Sequence, residues 1–304
     1  MNQGNELIRK IQLKELEILK MFQEICKRHN LRYFAIGGTC LGAVRHQGFI
    51  PWDDDVDVAM PYEDYVKFLE LADSELPNKY GIISPLKIKH CAMEYFFKIH
   101  DKTTAFIEND FILYSDRYAG ISIDIFPVHG LTDNEHEKKK TLLRARILRN
   151  MNRLLRHEMK LLTEKLGFVK GFIAYVTGLP LKLFLPFNYF TLKHERMLRK
   201  YKFGSYKKII FPWRKDKRNE NGWYTNIFPH DDFKETIELP FEDTTISVPV
   251  GYDNYLTMEF GDYMTLPPED KRNNHMSYDG GGIVDLEKSY KYYAEQKEAG
   301  KLCS

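Results

Sequence analysis

The chain has 304 residues, 43% of them hydrophobic and 29% charged, which is enough to bury a full core as one large domain or two modest ones. Its net charge of +2 excludes a uniformly basic or acidic surface, so any electrostatic partner must be read from local charge. Cys26, Cys40, Cys91 and Cys303 fall at irregular spacings with no C-x-x-C pair, which argues against a disulfide framework or a zinc cluster, and Met1 to Glu6 lack an apolar signal core. Reduced thiols in a cytoplasmic protein are the expectation.

Leu7, Ile8, Ile11, Ile18, Leu19, Phe22, Ile25 and Cys26 recur at helical spacing and predict an amphipathic scaffold helix from about Glu6 to His29. Arg32 to Ile36 then reads as a buried strand, Gly37-Gly38 as a sharp turn and Thr39 to Arg45 as a short helix. A glycine turn that delivers the chain into a helix N-terminus can cradle a phosphate, because backbone N–H groups point outward and nothing blocks their approach. A glycine pair alone more often only turns the chain.

The acidic run Asp53-Asp54-Asp55-Val56-Asp57-Val58 follows Trp52. On an extended segment, alternation puts Asp53, Asp55 and Asp57 on one face and Val56 and Val58 on the other, leaving Asp54 as a turn residue. Like charges this close are costly without a cation, and a few hard oxygen ligands suit Mg²⁺ or Mn²⁺, whose remaining positions go to water and substrate phosphate. The plain alternative is a solvated acidic turn after Pro51.

Pro61 opens a second helix carrying Tyr65, Phe68, Leu69 and Ala72 on one side and ending before Pro77. Strand signals follow at Gly81 to Ser84, Glu94 to His100 and Ile121 to Phe126. Lys98 could hold a phosphate as a point charge or be an edge-strand lysine in solvent. Ile121, Ile123 and Ile125 share one strand face, which leaves Asp124 on the other; inside so apolar a strand it is either a metal ligand or base, or a structural hydrogen-bonding residue.

From Lys138 to Lys170, eleven lysines and arginines face only Glu158 and Glu164, interleaved with Leu, Ile and Met. This is a basic amphipathic helix region. Gly167 to Phe187 is apolar and aromatic but broken by lysines, glycines and prolines, and reads as an interfacial hairpin rather than a transmembrane span. Three readings stay open for the pair: peripheral docking at the inner face of a membrane, a helical subdomain with a solvated basic face, and nucleic-acid binding, which the apolar hairpin and the lack of any nucleic-acid module disfavour. Strand signals resume at Thr236 to Leu239 and Thr245 to Val248.

The string Y-F-A-I-G-G-T-C-L-G-A-V-R-H-Q-G-F-I-P-W-D-D-D-V-D-V-A-M, followed by I-D-I-F-P and by P-x-x-Y-D-x-Y-L and G-D-Y-M-x-L-P-P near the end, resembles the LicD family of phosphotransferases. The resemblance covers about residues 31 to 130 and 238 to 275. It implies an α/β (α+β) fold, a nucleotidyltransferase-like mixed sheet flanked by helices, with a catalytic core at 1–131, a basic helical insertion at 132–220 and a segment at 221–304 that returns to the core. It further implies transfer of a phosphorylated alcohol, commonly phosphocholine, from a CDP-activated donor to a hydroxyl of a cell-surface glycan such as lipopolysaccharide or teichoic acid, or its lipid-linked precursor. Ribitol- or glycerol-phosphate transfer of the fukutin type and nucleotidyl transfer from an NTP to a small molecule are the alternatives.

By that resemblance Asp55 and Asp57 match paired metal ligands, Asp124 the third carboxylate and candidate base, and Gly37, Gly38 and Thr39 the phosphate cradle. Arg45 and His46 match the R-H of the first block and could neutralise phosphates or fix a loop, while a basic residue recurs in the block that holds Lys98. His275 could reach the site, although a surface position suits it as well.

Overall fold

The computed structural model describes residues 3–88, 95–107, 118–156, 167–186, 188–214, 226–272 and 282–300. His275, Cys91, Cys303, Glu158 and Glu164 lie outside the described residues. Helix α1 (Gln3–His29) leads into a two-residue strand β1 (Phe34–Ala35), helix α2 (Gly37–His46), strand β2 (Asp57–Pro61) and helix α3 (Tyr62–Glu75). The first strand is shorter than Arg32 to Ile36 because Gly37 bends the chain into α2 at once.

Strands β3 (Tyr80–Ile83), β4 (Phe97–Asp101), β5 (Ala105–Ile107) and β6 (Ser122–Leu131) follow. Among the described residues the main sheet runs β1-β2-β6-β4-β3, with β2 and β6 parallel and the other neighbours antiparallel. β6 pairs with β2 and β4 through its first half. Its last residues, His129 to Leu131, pair with β7 (Lys208–Ile210), which pairs in turn with β8 (Ile227–Pro229). The fold is therefore mixed α/β, a curled sheet flanked by helices.

Helices α1 and α3 cover one face, meeting where the Phe22 and Phe68 rings lie 5.1 Å apart and Phe68 stacks on Phe97 of β4 at 5.6 Å. Ile121, Ile123 and Ile125 are fully buried, as the period-two pattern requires. A second aromatic cluster joins Phe211, Phe228, Phe233 and Tyr255, the last from helix α7 (Tyr252–Phe260). The hairpin β9 (Thr236–Phe241) and β10 (Thr244–Pro249) turns at Glu242, which accepts hydrogen bonds from Arg9 on α1. Strand β11 (Ile283–Asp285) pairs with β5, and helix α8 (Tyr290–Glu298) packs beside it.

Between β6 and β7 lie α4 (Glu135–Arg156), α5 (Phe168–Phe184) and α6 (Tyr189–Leu198). The basic segment is helical as expected through Arg156, its residues 157–166 lying outside the described ones, but the apolar stretch after it carries one helix, α5, in place of a hairpin. Gly171 and Gly178 are buried, one heptad apart on the same side, where small residues let the helix pack closely, and Pro180 falls near the last turn. Among the described residues no helix is long and apolar enough to cross a membrane. Cys26 and Cys40 are buried free thiols.

Candidate active site

The sheet register builds the centre of the site. Asp57 on β2 is the Cα partner of Asp124 on β6, and Asp124 is the partner of Lys98 on β4. Register partners on neighbouring strands project to the same face, so Asp57, Asp124 and Lys98 form one row across three adjacent strands. The Lys98 Nζ lies 3.0 Å from Asp124 Oδ1, with the two side chains only 17% and 16% exposed. Because β4 lies between β6 and β3, Lys98 is an interior-strand lysine, not an edge one.

The acidic run enters this row from a loop. Residues 53–56 are not paired strand, yet their burial already alternates, with Asp53, Asp55 and Asp57 half-buried and Asp54, Val56 and Val58 buried. Asp53 is tied by its own N–H to Ile50 O and by its carbonyl to the Gln12 side chain of α1 at 2.8 Å. Asp54, on the opposite side from Asp53 and Asp55, is buried at 3% exposure. Burial, then the charge of Asp55, a hydrogen bond that the protonated Asp53 gives to the Asp55 side chain, and the charge of Asp54 hold the Asp53 carboxyl well above its usual range. Asp57 is raised first by burial, then by Asp55, Asp124 and Asp53, with Arg214 acting in the opposite direction.

Gly37 and Gly38 face these carboxylates. Gly37 opens α2 with φ +54, a left-handed conformation that side chains disfavour, and a Cβ there would lie 3.5 Å from Asp57 Oδ2. A Cβ on Gly38 would stand 2.3 Å from Asp53 Oδ2, so only glycine leaves room for the loop as it is placed. Thr39 locks the geometry by accepting the Asp57 backbone N–H at its Oγ1, 2.8 Å away. The Gly37 N–H is already given to the Tyr255 hydroxyl at 2.8 Å, so a ligand would meet the turn through its later N–H groups.

Arg45 and His46 sit at the far end of α2, about 12 Å along its axis from Gly37 at 1.5 Å per residue. Arg45 Nη1 donates to Tyr263 O at 2.7 Å and Nε faces His46 Nδ1 at 3.5 Å, while the His46 and Trp52 rings meet at 6.3 Å. Arg272 lies over Trp52, 5.0 Å from its centroid. Burial and then the neighbouring Arg272 lower the Arg45 guanidinium, and burial and then Arg45 lower His46. The fold thus brings Gly37, Gly38, Thr39, Asp55, Asp57, Lys98 and Asp124 together and places Arg45 and His46 in a separate basic cluster that holds the loop around Tyr263.

Three site residues have weak or no sequence signals. Glu15 of α1 is buried at 2% exposure with Oε2 lacking a hydrogen-bond partner, and its carboxyl is raised by burial and then by Asp55, Asp54, Asp53 and Asp124. It stands four residues after Ile11 and four before Leu19, a carboxylate inside the apolar stripe, and that position was the legible signal. α1 is therefore more than scaffold. Arg214 binds Glu259 and is raised despite its burial by Tyr255, Glu259 and Asp57, which places a cation near the carboxylates. Nothing in the spacing around Phe211-Pro212-Trp213 marks it, nor does Tyr255 stand out among 19 tyrosines.

The donor set suits a hard divalent cation, since half-buried carboxylates that raise one another are relieved by positive charge. Among the described residues no three carboxylate, histidine or cysteine side chains converge on one ion position, and Asp124 is engaged by Lys98. Mg²⁺ commonly takes only one or two carboxylates and completes its shell with water and substrate phosphate, so Asp55 and Asp57 meet that requirement chemically.

A family model described as LicD/FKTN/FKRP, nucleotidyltransferase domain, matches residues 30–160, the span that holds the glycine turn, the acidic loop, Lys98 and Asp124. The lipopolysaccharide cholinephosphotransferase LicD of Haemophilus influenzae is 29% identical over 274 residues, covering 88% of this chain and 95% of that protein. Residues 30–160 are thus similar to the LicD-type domain, and the similarity to the Haemophilus protein extends along most of the chain. Two uncharacterized rickettsial proteins resemble this chain over shorter stretches. That of Rickettsia typhi is 36% identical over 70 residues (21% of this chain, 23% of its own), and that of Rickettsia prowazekii 27% over 140 (43% and 49%). The match to the Haemophilus protein runs through the basic helices as well as the core, so the helical layer lies within the shared length.

Proposed function

We propose that this LicD-like enzyme transfers a phosphorylated alcohol, phosphocholine foremost, from a CDP-activated donor to a hydroxyl of a cell-surface glycan or its lipid-linked precursor, on the cytoplasmic side where CDP donors are made. The name of the Haemophilus relative, a lipopolysaccharide cholinephosphotransferase, supports the donor group and the acceptor class. The single structural observation that carries the reading is the Asp57, Asp124 and Lys98 row beside the glycine turn.

In the reaction, the acceptor hydroxyl oxygen attacks the phosphorus that bears the alcohol. A new P–O bond forms, the bond to the CMP phosphate breaks, and its electron pair leaves with CMP. Asp124 is the candidate base for the hydroxyl proton, and Lys98 orients it across 3.0 Å. The turn after Gly37 seats the pyrophosphate, with Arg214 adding positive charge nearby. Asp55 and Asp57 would hold Mg²⁺ or Mn²⁺, which when bound neutralises phosphate charge and stabilises the leaving group. No nucleophilic serine or cysteine is required of the protein.

The test is incubation of purified protein with CDP-choline, CDP-ribitol, CDP-glycerol or NTPs, each with Mg²⁺ or Mn²⁺ and a glycan acceptor. CMP release from CDP-choline, dependent on the acceptor, is expected. CMP from CDP-ribitol or CDP-glycerol alone would move the donor to an alditol phosphate, and pyrophosphate from an NTP with no CMP from any donor would overturn the transferase reading.

A further inference from the structure

The helical layer α4, α5 and α6 carries a surface that the active site does not use. α5 is packed against α4, and α4 against α6. Along α5, Phe168, Val169, Phe172, Ile173, Val176, Leu183 and Phe184 are all exposed, with Phe168 at 75% and Phe184 at 82%. Phe168, Val169, Phe172, Ile173 and Val176 recur at spacings of three and four residues, exposed Pro180 follows at the next step, and Leu183 and Phe184 end this apolar stripe on a helix about 25 Å long. The Phe168 and Phe172 rings stack on each other at 6.4 Å, in solvent rather than against the body of the protein.

The neighbouring helices add charge. On α4, Leu143 and Ile147 are exposed on a face they share with Lys139, and Lys140 and Arg144 are exposed beside them. On α6, Lys193 and Arg196 are exposed, with Arg199 just beyond its end. An apolar stripe of this extent is seldom left in water. Burying it against a second copy would bring the basic side chains of both copies together, which repels, and a nucleic acid would satisfy the charges while leaving the phenylalanines wet.

A surface that is apolar in its middle and anionic around it satisfies both sets of residues at once. We propose that α4, α5 and α6 dock on a lipid bilayer with anionic headgroups, α5 lying in the interface with Phe168, Phe172 and Phe184 inserted and Lys139, Lys140 and Arg144 at headgroup level. The helix lies on the membrane and does not span it.

The test is co-sedimentation of the full chain with vesicles of phosphatidylcholine alone and with vesicles that also hold phosphatidylglycerol at about 30%, close to an anionic leaflet. Wild type is expected to pellet with the anionic vesicles, and to do so less as salt rises from about 0.1 M to about 1 M and shortens the Debye length from about 10 to about 3 Å. Lys139→Gln/Lys140→Gln/Arg144→Gln is expected to lower the partition coefficient roughly a hundredfold, since each surface cation near such a membrane contributes about a factor of five. Phe168→Ser/Phe172→Ser/Phe184→Ser removes the inserted rings and is expected to lose binding by at least about a hundredfold. Phe184→Ser alone, at the most exposed of them, is expected to lose about tenfold with unchanged thermal unfolding.

Failure of wild type to bind anionic vesicles overturns the proposal. So does a concentration-dependent dimer, seen by light scattering, that the triple Phe→Ser variant abolishes, or binding to homopolymeric RNA that outcompetes vesicles. Binding is read without catalysis, so its failure leaves the phosphotransfer reading standing, and loss of that reading leaves the membrane result standing.

Discussion

Replacing Lys98 by Met tests the site's electrostatics most directly, because it keeps the length of the side chain and removes only its charge. Asp57 and Asp124 are register partners on adjacent strands, about 5 Å apart at the usual strand spacing. At an effective dielectric constant near 20, two carboxylates at that distance repel by about 3 kcal/mol, and Lys98, 3.0 Å from Asp124, offsets that repulsion. The pair is only partly exposed, at 17% and 16%, so screening lowers the effect without abolishing it. Lys98→Met is therefore expected to lose about 1–3 kcal/mol of unfolding free energy at pH 7 without metal. Urea denaturation followed by fluorescence measures it. As pH falls the gap should narrow, because Asp57, whose carboxyl is raised above its usual range, takes up a proton before ordinary carboxylates do and the repulsion ends. In an Asp124→Asn background the same substitution should cost little, a coupling read from the double-mutant cycle. Equal stability of Lys98→Met and wild type at pH 7, or an equal loss with and without Asp124, would refute the reasoning.

The glycine turn offers a second test: Gly38→Ala pushes a Cβ against Asp53 Oδ2 and should cut kcat/KM by about a hundredfold, while circular dichroism and thermal unfolding change little. Asp57→Asn should abolish CMP release yet leave the metal-free protein as stable as wild type or more so, since it removes a carboxyl raised by its neighbours. Mg²⁺ at about ten times its dissociation constant should raise wild-type unfolding free energy by about 1.4 kcal/mol, and Asp57→Asn should erase that increment in a denaturation titration. For pH, Glu15, Asp53 and Asp57 all have folded pKa values raised above their unfolded values, so above pH about 4 the folded chain holds protons that the unfolded chain releases. Their contribution is fully present below that pH and is lost as pH rises. Glu15→Gln should therefore gain on wild type with increasing pH, and a constant difference from pH 5 to pH 8 would count against the assignment.

Much of the core could be read along the chain because its signals are local. Ile121, Ile123 and Ile125 alternate with Ser122 and Asp124, and one buried face follows from strand geometry alone. Gly37 and Gly38 needed no partner to be seen as a turn, since a positive φ or a missing Cβ is written in the residue type. Alternation also holds through the acidic run, where Asp54 is buried with Val56 and Val58, although residues 53–56 are an unpaired segment tethered by Gln12 and not strand. The apolar stretch after Gly167 shows where local reasoning stops, since glycines and prolines that suggest a hairpin in isolation are accommodated in α5 once small residues are needed for packing.

What the sequence determined by itself was the set of chemically able groups: a glycine turn, a run of aspartates, an isolated aspartate in an apolar strand, a basic helix followed by an apolar stretch, and the motif strings of the LicD family. Which of those groups meet was decided only by the tertiary structure. Strand order is a non-local choice, so the sheet register alone sets Lys98 against Asp124 and Asp124 against Asp57. Helix docking is equally non-local, and it carries Glu15 beneath the acidic loop, Tyr255 onto the Gly37 N–H from 218 residues away, and Arg214 toward Asp57. Periodicity reports which face of an element is buried; it carries no information about the element that buries it.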